Sequence, residues 1–239
     1  MILSKKALGF VAAMLLLPSL ASAQSVCRLA LLLALDVSSS VDDAEYALQK
    51  NGLADALLDD DIQRALLEQG GTVSLAVYEW SGRRQSVVVQ DWITLGDSKT
   101  IETVAARIRS TSRSYSRFPT ALGYALGFGA TLMRQAPTCD RQVIDVSGDG
   151  ITNDGFWPFQ AYEHFPFSGI TVNGLAVLGA DPDVLDHYIF EVKRGPGAFV
   201  ETSDGYEGYR KAMTRKLFRE INDQVVGRAN LGPEFWSPG

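Results

Sequence analysis

The segment Arg28–Leu35, RLALLLAL, is apolar at every position after its arginine and stops at Asp36-Val37-Ser38-Ser39-Ser40. A short, continuous apolar run closed by a polar turn fits a strand buried on both faces, and such a strand needs helices on either side of its sheet. Asp42–Leu58 supplies the first, with Asp42 as N-cap and Glu45 three residues on as its reciprocal partner. Its apolar side is read as Ala44, Ala47, Leu48, Ala54, Leu57 and Leu58, and Ile62–Gln69 continues it past the acidic corner Asp59-Asp60-Asp61. Val73–Trp80 and Ser86–Ile93 read as a hairpin around Ser81-Gly82-Arg83-Arg84. A helix over Ser98–Ile108 capped by Ser98, a polar loop over Arg109–Pro119 and a helix over Thr120–Arg134 follow. Gln142–Ser147 and Thr171–Leu178 are strands, Pro182–Val192 a helix, Gly195–Thr202 a short strand and Tyr206–Val225 a long helix. This alternation predicts a single α/β domain: three layers, with a doubly wound, mostly parallel central sheet flanked by helices. Ligands on such a sheet meet the carboxyl ends of the strands.

The chain before that domain has the three parts of a secretory signal. Lys5 and Lys6 precede the apolar run Ala7–Leu17, Pro18 ends it, and Ala21-Ser22-Ala23 is a small-residue cleavage site. The expected division is a signal peptide over 1–23 and a domain over 24–239 with its core at about 28–226. The apolar run is short for a membrane span, which needs about 20 residues, although an uncleaved anchor is the competing reading. The expectation is a periplasmic or secreted protein with no stable membrane span after cleavage. In that oxidising setting Cys27 and Cys139, the two cysteines of the chain, are candidates for a disulfide.

The formal net charge is −6, from 22 basic and 28 acidic residues, which argues against nucleic acid as a partner. Two histidines and two cysteines leave too little nitrogen and sulfur for haem, iron–sulfur or most zinc sites. The chain has no Gly-x-Ser-x-Gly, Walker or His-Glu-x-x-His motif, and His164 and His187 read as structural. A calcium loop read from Asp145 fails at its twelfth position, where Phe156 replaces the required Glu.

Oxygen donors remain. The first buried strand runs into Asp36, Ser38 and Ser40, the Gln142–Ser147 strand runs into Asp149, and Thr120 opens a helix. Two carboxylates and three hydroxyls suit a hard cation such as Mg²⁺ or Mn²⁺. A degenerate, metal-free site is the competing reading.

Asp36-x-Ser38-x-Ser40, a later Thr120 at a helix start, and Asp149-Gly150 after a buried strand resemble the von Willebrand factor A (vWA) fold and its metal-ion-dependent adhesion site. Gly195-Pro196-Gly197-Ala198-Phe199-Val200 before the last helix resembles an exported bacterial vWA-like family of uncharacterised function. The resemblance implies that Ser38, Ser40 and Thr120 are metal ligands, with Asp36 and Asp149 acting directly or through water. It also implies that the Asp36 and Asp149 strands are neighbours. Cys27 and Cys139 then fall at similar depth, nine and ten residues before those aspartates, with at least one of them outside the regular strand. Two positions depart from the family pattern: Gly148 stands where many such domains have Thr or Ser, and Asp145 interrupts an apolar strand. Asp145 is either an outer partner of the ligand set or a buried acid satisfied by backbone groups.

The function this implies is an exported, metal-dependent protein-binding module, not an enzyme, whose cation takes an Asp or Glu side chain of a partner protein. The alternative is a phosphoester-type hydrolase using the same cation as Lewis acid. Phe156-Trp157-Pro158-Phe159 with Tyr162, Phe165 and Phe167 is either core packing or a partner-binding rim, and Arg109, Arg113 and Arg117 either meet acidic groups or solvate their loop.

Overall fold

The computed structural model describes residues 26–222. The predicted signal peptide, 1–23, and the last three residues of the predicted C-terminal helix lie outside them. Six strands form one sheet in the order β3-β2-β1-β4-β5-β6: β1 Cys27–Asp36, β2 Thr72–Trp80, β3 Ser86–Thr94, β4 Gln142–Gly148, β5 Ile170–Leu178 and β6 Val200–Asp204. All neighbours are parallel except β2 and β3, the expected hairpin. The chain winds outward from β1 in one direction and from β4 in the other, so the switch point lies between these two strands.

The sequence of β1 sets the layers. Leu29, Leu31, Leu33 and Leu35 face α1 (Asp43–Leu57), α2 (Asp60–Leu67), α3 (Ser98–Ser110) and α7 (Tyr209–Asn222). Ala30, Leu32 and Ala34 face α4 (Leu122–Met133), α5 (Pro158–His164) and α6 (Val184–His187). A fully buried leucine contributes about 1.5–3 kcal/mol, and all five leucines of β1 are at most 2% exposed. The strand is fastened at its start by the disulfide Cys27–Cys139, with Cα atoms 4.5 Å apart. Cys139 stands before β4 in an isolated bridge to Cys27, which reconciles the unequal spacings in the sequence.

Several boundaries differ from the sequence reading for local reasons. Asp42 and Glu45 cap α1 reciprocally as expected, and Ala54 and Leu57 are buried as read, but the buried face also holds Tyr46, Gln49, Gly52, Leu53 and Ala56, while Ala44 and Leu48 are exposed. The helix is rotated to bring Gln49 under the end of β1. α2 is a separate helix capped by Asp59, and α3 is capped by Asp97 rather than Ser98, the Asp97 carboxylate accepting from Thr100 N–H. α5 hides in the aromatic segment, opened by Pro158 and by Gln160, whose side chain accepts from Trp157 N–H. The predicted 182–192 helix is four residues of α6 followed by a π-helical turn, Tyr188–Val192. A turn closed from Ala198 N–H to Gly195 O delays β6 to Val200.

Candidate metal centre

The carboxyl ends of β1 and β4 bring the five predicted oxygen donors together. Asp36 ends β1 fully buried, and its Oδ1 accepts from Ser38 N–H at 2.7 Å. Ser38 Oγ lies 3.1 Å from Ser40 Oγ, and Ser40 Oγ donates to Asp149 Oδ1 at 2.7 Å. Thr120 Oγ1 donates to Ser38 Oγ at 3.3 Å. Thr120 stands two residues ahead of α4, later than predicted, because its backbone is committed elsewhere. Its N–H donates to Asn153 Oδ1, and its carbonyl accepts from Asn153 and Asp154 N–H.

The site is held by residues the motif did not disclose. Arg113, read in the sequence as a loop residue, is a nearly buried strut: its guanidinium donates to the carbonyls of Val37 (3.3 Å), Ser38 (2.9 Å) and Val41 (2.5 Å). Gln49 donates to the Asp36 carbonyl at 2.8 Å, and Ser147 Oγ joins it from β4. A glutamine in the apolar stripe of a helix was the one available signal for Gln49. Arg109 pairs with Asp55 on the surface.

Two buried carboxylate oxygens, Asp36 Oδ2 and Asp149 Oδ2, have no hydrogen-bond partner among the described residues. A buried, unpaired carboxylate is costly. Burial, with the charge of Asp149, pushes Asp36 up to about 8, and burial also raises Asp149. A divalent cation is the group this donor set fits: two unpartnered anionic oxygens beside three hydroxyls. Among the described residues no three His, Cys, Asp or Glu side chains gather into a metal-holding group, in keeping with a set of only two carboxylates.

Asp145 faces away from this set, into the layer of α7. Its Oδ1 lies 2.8 Å from Lys216 Nζ, which also reaches Glu220 Oε1 at 2.6 Å, and all three side chains are buried. Its partner is therefore a lysine from α7 rather than a backbone group. One lysine serves two acids, and burial with the Glu220 charge raises Asp145 to about 7. For Asp36 and Asp145 alike, the folded pKa exceeds the unfolded one, so the folded chain keeps a proton that the unfolded chain has lost. Stability then falls as pH rises toward these values. His187, whose pKa burial lowers, contributes little above about pH 6.5, near its unfolded value. With chelator present, the urea midpoint should drop between pH 6.5 and 8; a flat or rising midpoint contradicts the assignment.

The aromatic segment divides between core and rim. Tyr162 and Phe167 are buried edge to face at 4.7 Å, and Phe156 packs tilted against Tyr124 at 4.0 Å, whereas Trp157 and Phe159 are exposed. His187 lies below the loop after Asp149, its Nε2 accepting from Thr152 N–H at 3.2 Å, and His164 is exposed.

Solved structures share this fold at low sequence identity. Proximal thread matrix protein 1 from the mussel byssus, in a form described as having a zinc-occupied MIDAS motif, matches with a TM-score of 0.57 and 15% identity, over 83% of this chain and 48% of its own. A von Willebrand factor type A protein from Catenulispora acidiphila gives 0.58 and 13%, over 84% of this chain and 44% of its own. The pilus adhesin SpaC from Lactobacillus rhamnosus GG gives 0.60 and 13%, over 83% and 31%. The chain thus spans half or less of the length of each, and identities this low establish the fold alone. No curated protein sequence matches the chain. Its six-stranded α/β architecture is vWA-like, and over residues 26–225 the chain belongs to the family described as a protein of unknown function, DUF1194.

Proposed function

We propose that this protein is an exported, metal-dependent protein-binding module. Asp36, Ser38, Ser40, Thr120 and Asp149 hold Mg²⁺ or Mn²⁺, the aspartates directly or through water, and an Asp or Glu of a partner protein completes the site. When bound, the cation supplies an electrophilic centre that two carboxylates only just neutralise, leaving affinity for a third. The observation that carries this reading is the pair of buried, unpartnered oxygens, Asp36 Oδ2 and Asp149 Oδ2, on carboxylates whose other oxygens accept from Ser38 N–H and Ser40 Oγ of a linked cluster of three hydroxyls.

The chain's own residues organise the face that a partner meets. Arg113 fixes the Asp36–Val41 loop from beneath, and Arg83 forks onto Asp154 at 2.7–3.1 Å beside Thr120. Trp157 and Phe159 stand exposed on the segment leaving β4, a placement that suits apolar contact around a central ionic one. Binding is favoured over hydrolysis because the ring nitrogen His187 Nε2 is engaged with Thr152, not with the hydroxyl cluster. Export rests on the signal features of 1–23, and among the described residues no helix is long and apolar enough to cross a membrane.

The test is capture of exported proteins on the immobilised chain, with and without chelator, using Asp36→Asn as control. Partners should be lost with chelator and with the substitution. An identical catch in all three arms contradicts the proposal.

A further inference from the structure

Beneath the candidate metal centre, two glycines on neighbouring strands make room for one tyrosine. A Cβ on Gly174 of β5 would lie 2.5 Å from Tyr188 Cδ1, so the bare strand lets the ring pack against it. A Cβ on Gly148 of β4 would lie 2.8 Å from the Tyr188 hydroxyl and 2.7 Å from Asp36 Oδ2. The two oxygens therefore border the same small space, each within 2.8 Å of the point a side chain at 148 would fill. Both are buried and neither has a hydrogen-bond partner among the described residues. Tyr188 is fully buried and opens the π-helical turn Tyr188–Val192, a geometry that recurs at functional sites. The preceding residue, His187, is bonded to Thr152 of the loop that follows Asp149, so the turn is braced against the metal face at two consecutive positions.

We propose that Tyr188 is a positioning residue of the metal centre: with the cation bound, its hydroxyl donates to Asp36 Oδ2, directly or through one water, across the space that Gly148 leaves open. The inference rests on the metal-binding reading above. A tyrosine hydroxyl, with an ordinary pKa of about 10, is a donor at working pH. The donated bond orients the carboxylate through the oxygen that Ser38 N–H does not hold, as outer partners do for metal ligands. A glycine at 148 is the condition for it, since any side chain there would enter the space between strand and phenol. A bridging water is consistent with two oxygens that approach one point without touching each other.

The test is Mn²⁺ titration of the full chain by calorimetry and near-ultraviolet absorbance, for the parent, Tyr188→Phe and Gly148→Ala. Tyr188→Phe should bind Mn²⁺ about tenfold more weakly. Its metal-free melting temperature should not fall, because the hydroxyl removed makes no bond within the metal-free fold. The parent should show a metal-induced tyrosine difference band that Tyr188→Phe lacks. Gly148→Ala, which places a methyl within 2.8 Å of both oxygens, should lose affinity with every tyrosine in place, and it decides the matter if Tyr188→Phe does not fold. Equal affinity and an equal tyrosine band in parent and Tyr188→Phe would overturn the inference and leave the metal site standing. A parent that takes up no Mn²⁺ would overturn both.

Discussion

Asp36→Asn abolishes uptake of Mg²⁺ and Mn²⁺ and, without metal, melts at a higher temperature than the parent. The substitution keeps the shape of the side chain and the acceptor for Ser38 N–H, 2.7 Å away, and removes the charge. Loss of an outer partner alone costs a metal site 10–100-fold, so loss of the buried aspartate itself should weaken binding by more than about 100-fold. The stability change runs the other way because Asp36 is wholly buried, lacks a partner for Oδ2 and is pushed up to about 8 by burial and Asp149. A neutral isostere relieves that penalty, by about 1–3 kcal/mol on the scale of an unsatisfied buried polar group. Calorimetric titration reads the first effect and thermal unfolding with chelator the second. Unchanged metal affinity would remove Asp36 from the site; a lower metal-free melting temperature would mean that its charge is compensated within the protein.

Replacing Cys27 and Cys139 together with serine costs the domain much of its stability and leaves the metal site alone. The link closes a separation of 112 residues, for which chain entropy gives about 4–5 kcal/mol. For a domain of this size that corresponds to roughly 10–15 °C in melting temperature. Cys27 starts β1 and Asp36 ends it, about 30 Å apart at about 3.3 Å per residue, so the effects should add independently. Scanning calorimetry of the double variant, and of the parent with reductant, should show the same drop with unaltered Mn²⁺ affinity. A drop below about 3 °C, the worth of roughly 1 kcal/mol here, would show that the disulfide contributes little.

What the sequence made legible was whatever is written locally. RLALLLAL announces a two-face buried strand, Asp42 and Glu45 announce a helix start, and serines spaced by two after Asp36 announce a donor cluster. The contributions of single side chains from distant elements were hidden. Nothing near Arg113 says that its guanidinium collects three carbonyls 72–76 residues upstream. Nothing near Asp145 points to Lys216, 0% exposed on α7. The first half of α1 reads with the wrong face, Ala44 and Leu48 being exposed while Ala54 and Leu57 are buried as read, because alanines and leucines fit several stripes and the choice among them is made by Gln49 reaching the Asp36 carbonyl. α5 was lost among aromatic residues whose packing obscures a 3.6-residue period. Tyr188 was invisible for a further reason: its role depends on two glycines, and a glycine's meaning lies in what approaches it.

The placement of β1 has a mechanical consequence. It lies at the centre of the sheet with parallel ladders on both sides. A pull exerted on the loop after Asp36 runs along the strand axis, so both ladders are loaded in shear and their hydrogen bonds must fail together rather than one at a time. At the far end the same strand is covalently anchored to Cys139. Tension entering at the metal face is thus carried through the middle of the domain to a bond that does not yield to force on the scale of folding, and the edge strand β3 can peel from β2 without breaking either ladder of β1.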